Sequence, residues 1–170
     1  ADDGMTVSCP ADAVQPVPPV VNDACGNAIT PVVTATPSAI ACEGDMIWVF
    51  TYTDCEGNSH AWTYTYVIDM PAFSVPVDGA SIVNCLVDAQ VQPTPPVVSD
   101  ACGTVLTPVV TAPADIACAG DMVWLFTYTD CASNVVEWRY TYTIDIPDFS
   151  VPADDGMTVS CPADAVQPVP

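Results

Sequence analysis

The sequence predicts an all-β chain of tandem β-sandwich repeats, about 76 residues each, every repeat stapled by two disulfides. Three observations carry that expectation. The chain repeats itself: Cys9, Cys42 and Cys55 recur 76 positions on as Cys85, Cys118 and Cys131, and Cys25 recurs at Cys102. Apolar residues alternate with polar ones at a period of two, as half-buried strands require. Eighteen prolines are spread through the chain, which disfavours long helices. The expected units are residues 1–76, residues 77–152 and the opening of a third repeat at 153–170. That last segment, ADDGMTVSCPADAVQPVP, copies residues 1–18 letter for letter, so the chain reads as a window on a longer array.

Within a repeat, short strands are expected at about 4–9, 13–22 and 28–35, with a piece near 38–42. Prolines 16, 18 and 19 lack N–H donors and would confine the second of these to a sheet edge. The clearest signal is a hairpin. Met46, Trp48, Phe50 and Tyr52 share one face, opposite Val49, Thr51 and Thr53. After a turn at Asp54–Ser59, Trp62, Tyr64, Tyr66 and Ile68 share a face. In the second repeat Trp138, Tyr140, Tyr142 and Ile144 alternate with Glu137, Arg139, Thr141 and Thr143. Six short strands in so few residues suit a small β-sandwich. The connectors MPAFSVPVDG (70–79) and IPDFSVPADDG (146–156) each carry two prolines, and read as stiff links between modules.

Charge removes several functions. Twenty-one acidic residues face one basic residue, Arg139, for a formal charge of −20, which repels nucleic acid and anionic lipid. No apolar run approaches the ~20 residues of a membrane helix. The start, ADDGMTVSCP, shows no basic segment followed by an apolar one, so no signal peptide is expected in it. Nine cysteines with one histidine and no CxxC fit neither zinc nor redox sites, and favour disulfides in an oxidising, extracellular setting.

A repeat this small buries little core, so bridges worth ~2–4 kcal/mol each would matter to it. Cys42 and Cys55 flank a strand ~30 Å long and cannot pair with each other, since bridged Cα atoms lie ~4.4–6.8 Å apart. The same holds for Cys9 and Cys25. If successive strands alternate in direction, the pairs are Cys9–Cys55 and Cys25–Cys42, then Cys85–Cys131 and Cys102–Cys118. Cys9–Cys42 with Cys25–Cys55 is the alternative.

The motifs Ser8-Cys9-Pro10, Asp23-Ala-Cys-Gly26 and Tyr52-Thr-Asp-Cys-Glu-Gly-Asn58, closing into a Tyr/Thr strand, resemble those of hyalin-repeat (HYR-like) modules. The resemblance covers the chain twice. It implies immunoglobulin-like sandwiches in tandem, as in large secreted surface adhesins of gliding Bacteroidota exported by the type IX route. Leu86 in place of the motif proline and Ser133 in place of the turn glycine are departures from the pattern.

No enzyme is expected. His60 becomes Val136 in the second repeat and Arg139 is Thr63 in the first, so neither is a recurring catalytic group. Calcium is the one cofactor considered. Asp23, Asp45, Asp54 and Asp69 recur as Asp100, Asp121, Asp130 and Asp145 near strand ends, and Asp2, Asp3 and Asp78 lie near the junctions. Of these, Asp2, Asp3, Asp69, Asp78 and Asp145 are the candidate ligands; the competing reading makes the aspartates turn formers on a solubilising surface. The aromatic ladder reads as core in preference to a sugar platform. The expected function is structural: the stalk or fibre of an extracellular surface adhesin, with neighbouring repeats as partners. A self-assembling multi-chain filament and a multivalent glycan- or surface-binding module are the alternatives.

Overall fold

The computed structural model describes residues 2–167; Ala1 and residues 168–170, which end the copied segment, lie outside the described residues. The chain is nearly all β and folds as two successive sheet units. The first comprises β1 (Asp3–Val7), β2 (Val21–Asn22), β3 (Ala28–Ile29), β4 (Val32–Ala35), β5 (Gly44–Thr53) and β6 (Ser59–Ile68). The second repeats it as β7 (Gly79–Val83), β8 (Val98–Ser99), β9 (Val105–Leu106), β10 (Val109–Thr111), β11 (Gly120–Thr129) and β12 (Val135–Ile144), with a short helix α1 (Leu86–Ala89) after β7. Each unit is a four-stranded sheet, ordered β1-β6-β5-β4 and β7-β12-β11-β10, with a two-stranded ribbon, β2-β3 or β8-β9, as a partial second layer.

The period-two pattern places the hairpins as expected. Met46 pairs across the ladder with Tyr66, Trp48 with Tyr64 and Phe50 with Trp62, so the apolar side chains share one face. Rings along that face stand 4.9–5.6 Å apart from Phe50 to Tyr66, close enough for tilted aromatic contact. In the second unit Val98 of the ribbon, Trp124, Phe126, Tyr128 and Trp138 are buried together. In the second unit the ladder belongs to the core, as read; in the first, Trp62 is only half-buried.

Two expected strands do not form as such. Residues 13–20 run without sheet pairing, because their prolines supply no N–H for a ladder, and only Val21–Asn22 reaches a partner. The segment is held by a side chain instead: the buried Tyr52 hydroxyl donates to the Pro19 carbonyl at 2.6 Å, and Tyr128 does the same to Pro96 at 2.7 Å. Burial pushes both phenols above their ordinary pKa, which keeps the donor protons in place. Residues 38–42 form no strand.

The two departures from the repeat pattern have local consequences. After Cys9, Pro10–Asp12 form a single 3-10 turn; where Leu86 replaces proline, Leu86–Ala89 form an α-helical turn. The helical turn aims the Ala89 carbonyl at Trp124, whose indole Nε1 donates to it at 3.0 Å. Trp48, in the corresponding place, has a buried indole nitrogen without a partner among the described residues. Ser133 adopts φ 68°, the left-handed conformation that Gly26, Gly57 and Gly103 take in the equivalent turns.

Those four turns share one construction. An aspartate (Asp23, Asp54, Asp100 or Asp130) accepts the backbone N–H four residues on at 2.8–2.9 Å. In three of them an asparagine amide donates to the other carboxylate oxygen, from Asn27, Asn58 or Asn134. These are Asx-type turns, in which the carboxylate replaces backbone partners that the bend removes.

In the first unit the asparagine side-chain donors, then the backbone N–H groups, hold the Asp23 and Asp54 carboxyls below their ordinary pKa. A carboxyl lowered on folding stabilises the turn above the unfolded value of about 3.9 and loses that contribution as pH falls through the folded value. Followed by NMR, the Asn27 and Asn58 side-chain amides are expected to titrate with midpoints below about 3.9. A midpoint at or above that value would mean that the carboxylates do not hold the turns.

Candidate functional site

The residues that carry chemistry gather where one repeat meets the next. β1 runs parallel to β6, from Asp3 beside Tyr64 to Val7 beside Ile68. Cys9, just past β1, therefore lies at the end of the sheet where β6 finishes and β5 begins, which is where Cys42 lies. Cys25 and Cys55 lie in the Asx turns, Cys55 beyond the far end of β5, roughly 30 Å away for a ten-residue strand. The second unit repeats the arrangement, with β7 parallel to β12. Each repeat thus carries two cysteines at one end and two at the other.

The bridges cross between repeats. Cys9 is bonded to Cys102 and Cys42 to Cys131, with Cα atoms 5.6 and 5.7 Å apart. The pairs expected from the sequence, Cys9–Cys55, Cys25–Cys42, Cys85–Cys131 and Cys102–Cys118, do not occur. That expectation counted a strand at 38–42 among the alternating directions; none forms, so β4 turns directly into the antiparallel β5, β1 runs parallel to β6, and Cys9 reaches the end that holds Cys42. The alternative grouping, Cys9 with Cys42 and Cys25 with Cys55, sorts the cysteines by end as the structure does. Its members bond to the neighbouring repeat and not to each other. Two repeats hold two bridges, both spanning the junction. Cys25, Cys55, Cys85, Cys118 and Cys161 are free and exposed.

Apolar contacts reinforce the junction. Met70, in the connector, is buried; its sulfur lies 3.9 Å from that of Cys131, and its backbone N–H donates to Glu43. Phe73 is 9% exposed and belongs to the core of the second repeat, with Val98, Trp124, Phe126, Tyr128 and Trp138. Val75 packs against the same cluster. By packing, the connector from Phe73 onward is part of the second unit, although the sequence placed its boundary after residue 76. Downstream, Trp138 Nε1 donates to the Val77 carbonyl and the Arg139 backbone N–H to Asp78, both at 2.9 Å. The connector is threaded into the repeat that follows it.

The first repeat shows the same site open. The counterparts of Val98, Leu106, Tyr128, Val136 and Trp138 are Val21, Ile29, Tyr52, His60 and Trp62. They line a groove of about 910 Å³ rimmed by Asp2, Asp3, Asp23 and Asp54. Sequence reading passed over this feature, because the connector phenylalanine was taken as part of a linker.

The candidate calcium ligands do not converge. Asp78 accepts the Arg139 N–H, and the Asp3 carboxylate accepts the N–H of Gly4. The backbone N–H groups of Asp69 and Asp145 extend the parallel pairings to Val7 and Val83. Asp2 is exposed at the groove. Among the described residues no group of three or more His, Cys, Asp or Glu side chains is placed to hold a metal ion. His60 stands at the groove and Arg139 pairs with Glu137 on the exposed sheet face at 2.6 Å, a geometry worth little in water. No helix is long and apolar enough to cross a membrane among the described residues.

Each bridge closes a loop of about 90 residues, spanning separations of 93 and 89. Chain-entropy arguments put such a bridge at about 4–5 kcal/mol, and measured values commonly fall at 2–4. Proteolytic mapping without reduction is expected to give Cys9–Cys102 and Cys42–Cys131 peptides, and serine at Cys9 and Cys102 to lower stability by about 2–4 kcal/mol. Recovery of Cys9–Cys55 peptides would contradict the junction as described.

The profile of a family described as "HYR-like domain with 4 cysteines" matches residues 1–68 and again 73–144. No curated protein matches the chain in a sequence comparison. The two matches coincide with the two sheet units, and the second begins at Phe73, the residue that the packing assigns to the second core. Domains of this kind are non-catalytic, extracellular modules of adhesion type, and the bridges fit an oxidising setting. The chain belongs to the family of HYR-like domains with four cysteines, carried here as two repeats in tandem.

Proposed function

We propose that these repeats are the load-bearing stalk of a large extracellular surface adhesin, of the kind made by gliding Bacteroidota and exported by the type IX route. The observation that carries this reading is the junction: two disulfides and a buried phenylalanine join successive repeats where a flexible tether would otherwise be. A stalk must hold a distal region away from the cell and keep its length under tension. A junction made only of van der Waals contacts yields to force, whereas a covalent one passes tension from repeat to repeat. High net negative charge keeps such chains apart from one another.

The mechanism follows from where the bridges sit. Tension applied at the two ends reaches Cys9 early and passes through the disulfide to Cys102. The segment between them, a sequence separation of 93, is then shielded from the load even if its sheets unfold. The outer sheet face mixes Thr and charged residues with exposed Ile47, Val67 and Val123, and the Thr34 and Thr51 hydroxyls lie 2.9 Å apart across β4 and β5.

Single-molecule pulling between the chain ends is the test. The oxidised chain is expected to extend less than the reduced chain by roughly 300 Å, the extended length of the shielded segment. Equal extension in both states would remove the mechanical reading, and specific binding of glycans by the isolated chain would move the function to ligand contact.

A further inference from the structure

Three of the four Asx turns use both oxygens of their aspartate. Asn27, Asn58 and Asn134 each donate a side-chain amide to the second carboxylate oxygen, at 2.8–3.0 Å. The fourth turn has Thr104 where the others have asparagine. Asp100 Oδ1 accepts the backbone N–H groups of Cys102 and Thr104 at 2.9 and 2.8 Å, and Oδ2 has no donor among the described residues. Asp100 is only 9% exposed. A buried acceptor left without a donor is costly, and this one lines a cleft.

The cleft, about 490 Å³ in volume, lies where the two repeats meet. Pro10 and Ala41 come to it from the first repeat, Met70 from the connector and Leu106 from the second repeat, beside the bridged Cys9 and Cys102. Ala41 and Thr104 are exposed, so the cleft opens to solvent. Its walls are mostly carbon and sulfur, with Asp100 Oδ2 and the Thr104 hydroxyl as side-chain acceptors. A calcium ion takes about six to eight oxygen ligands, far more than these side chains offer. A guanidinium is built to span both oxygens of a carboxylate, and here Oδ1 is already spent on the turn. An ammonium on an alkyl stem suits both parts of the cleft, its head on the two acceptors and its methylenes along the apolar wall.

We propose that this cleft binds a lysine side chain of a partner protein, with the ammonium on Asp100 Oδ2 and the stem against Met70 and Leu106. The 170 residues contain no lysine, and their single arginine is paired with Glu137, so the ammonium comes from outside them. A formal charge of −20 draws a basic partner surface toward the chain, an attraction that added salt weakens. The site is particular to this junction, since Asn27 fills the corresponding place in the first repeat and already donates to Asp23. The inference does not rest on the stalk reading, because it concerns what the joint binds and not the load it bears.

The test titrates the oxidised 170-residue chain with Nα-acetyl-lysine methylamide and follows backbone and methyl NMR signals. Saturable shifts are expected at Cys102, Thr104, Leu106 and the Met70 methyl. The norleucine analogue, with the stem but not the charge, is expected to bind at least about tenfold more weakly, the worth of a hydrogen bond to a charged group. Asp100→Asn keeps Oδ1 to hold the turn and is expected to lose as much. Thr104→Asn supplies the amide that the sister turns use, closes Oδ2 from within, and is expected to weaken binding by a similar factor. Circular dichroism checks that both variants keep the fold. Unchanged affinity in either variant, equal binding of the norleucine analogue, or no saturable shift at these residues would overturn the proposal. So would shifts from n-butylammonium but not from the lysine derivative, which would make this a site for free amines. Tighter binding of calcium chloride at the same signals would make it a metal site and overturn it equally.

Discussion

Phe73 lies in the connector by sequence and in the core of the second repeat by packing. Its burial is the contact on which the rest of the architecture depends. A sheet of four short strands with a two-stranded ribbon covers only part of its own apolar face. The residue that completes the cover arrives from the preceding segment, held at its entry by Met70 and at its exit by the Trp138 bond to the Val77 carbonyl. Folding of one repeat is therefore tied to the position of the chain leaving its neighbour. The two disulfides make that position permanent.

The parallel first strand gives the junction its covalent part. A further strand at 38–42 would bring Cys9 to the same end as Cys55, and each repeat could close on itself. With β1 parallel to β6, Cys9 and Cys42 share the end that meets the next repeat, and each is bonded across the junction. The unit that is stable and covalently closed is the pair of adjoining repeat ends, not the repeat. Stability in such an array is a sum of repeat and interface terms, and here the interface term includes two covalent bonds.

Much of the fold was legible in the sequence because it is local. Alternation at period two placed β5, β6, β11 and β12, and it assigned the aromatic ladder to the inner face. The Asp-Ala-Cys-Gly and Asp-Cys-Glu-Gly motifs marked turns whose carboxylates do hold the bends. Copied residues show where locality ends. Pro10–Asp12 and Pro162–Asp164, identical in sequence, both form a 3-10 turn, since proline and the following backbone bond suffice. Asp3–Val7 form a strand, but the identical residues 155–159 form none, because a strand needs a partner to pair with. The junction was illegible for the same reason. Cysteine spacing states how far apart residues are along the chain, whereas strand direction decides which end of the sheet they reach. Phe73 read as connector because nothing in five residues reveals the groove that receives them.

The two repeats form an internal experiment, since their hairpins are nearly identical in sequence and differ in whether the groove is filled. Native-state hydrogen exchange on the oxidised chain reads both at once. Amides of β11 and β12, packed under Phe73, are expected to be more strongly protected than the matching amides of β5 and β6. The difference should approach about 2 kcal/mol, the worth of a buried phenylalanine. Equal protection in the two hairpins, or stronger protection in the first, would contradict the dependence of each repeat on the segment that precedes it.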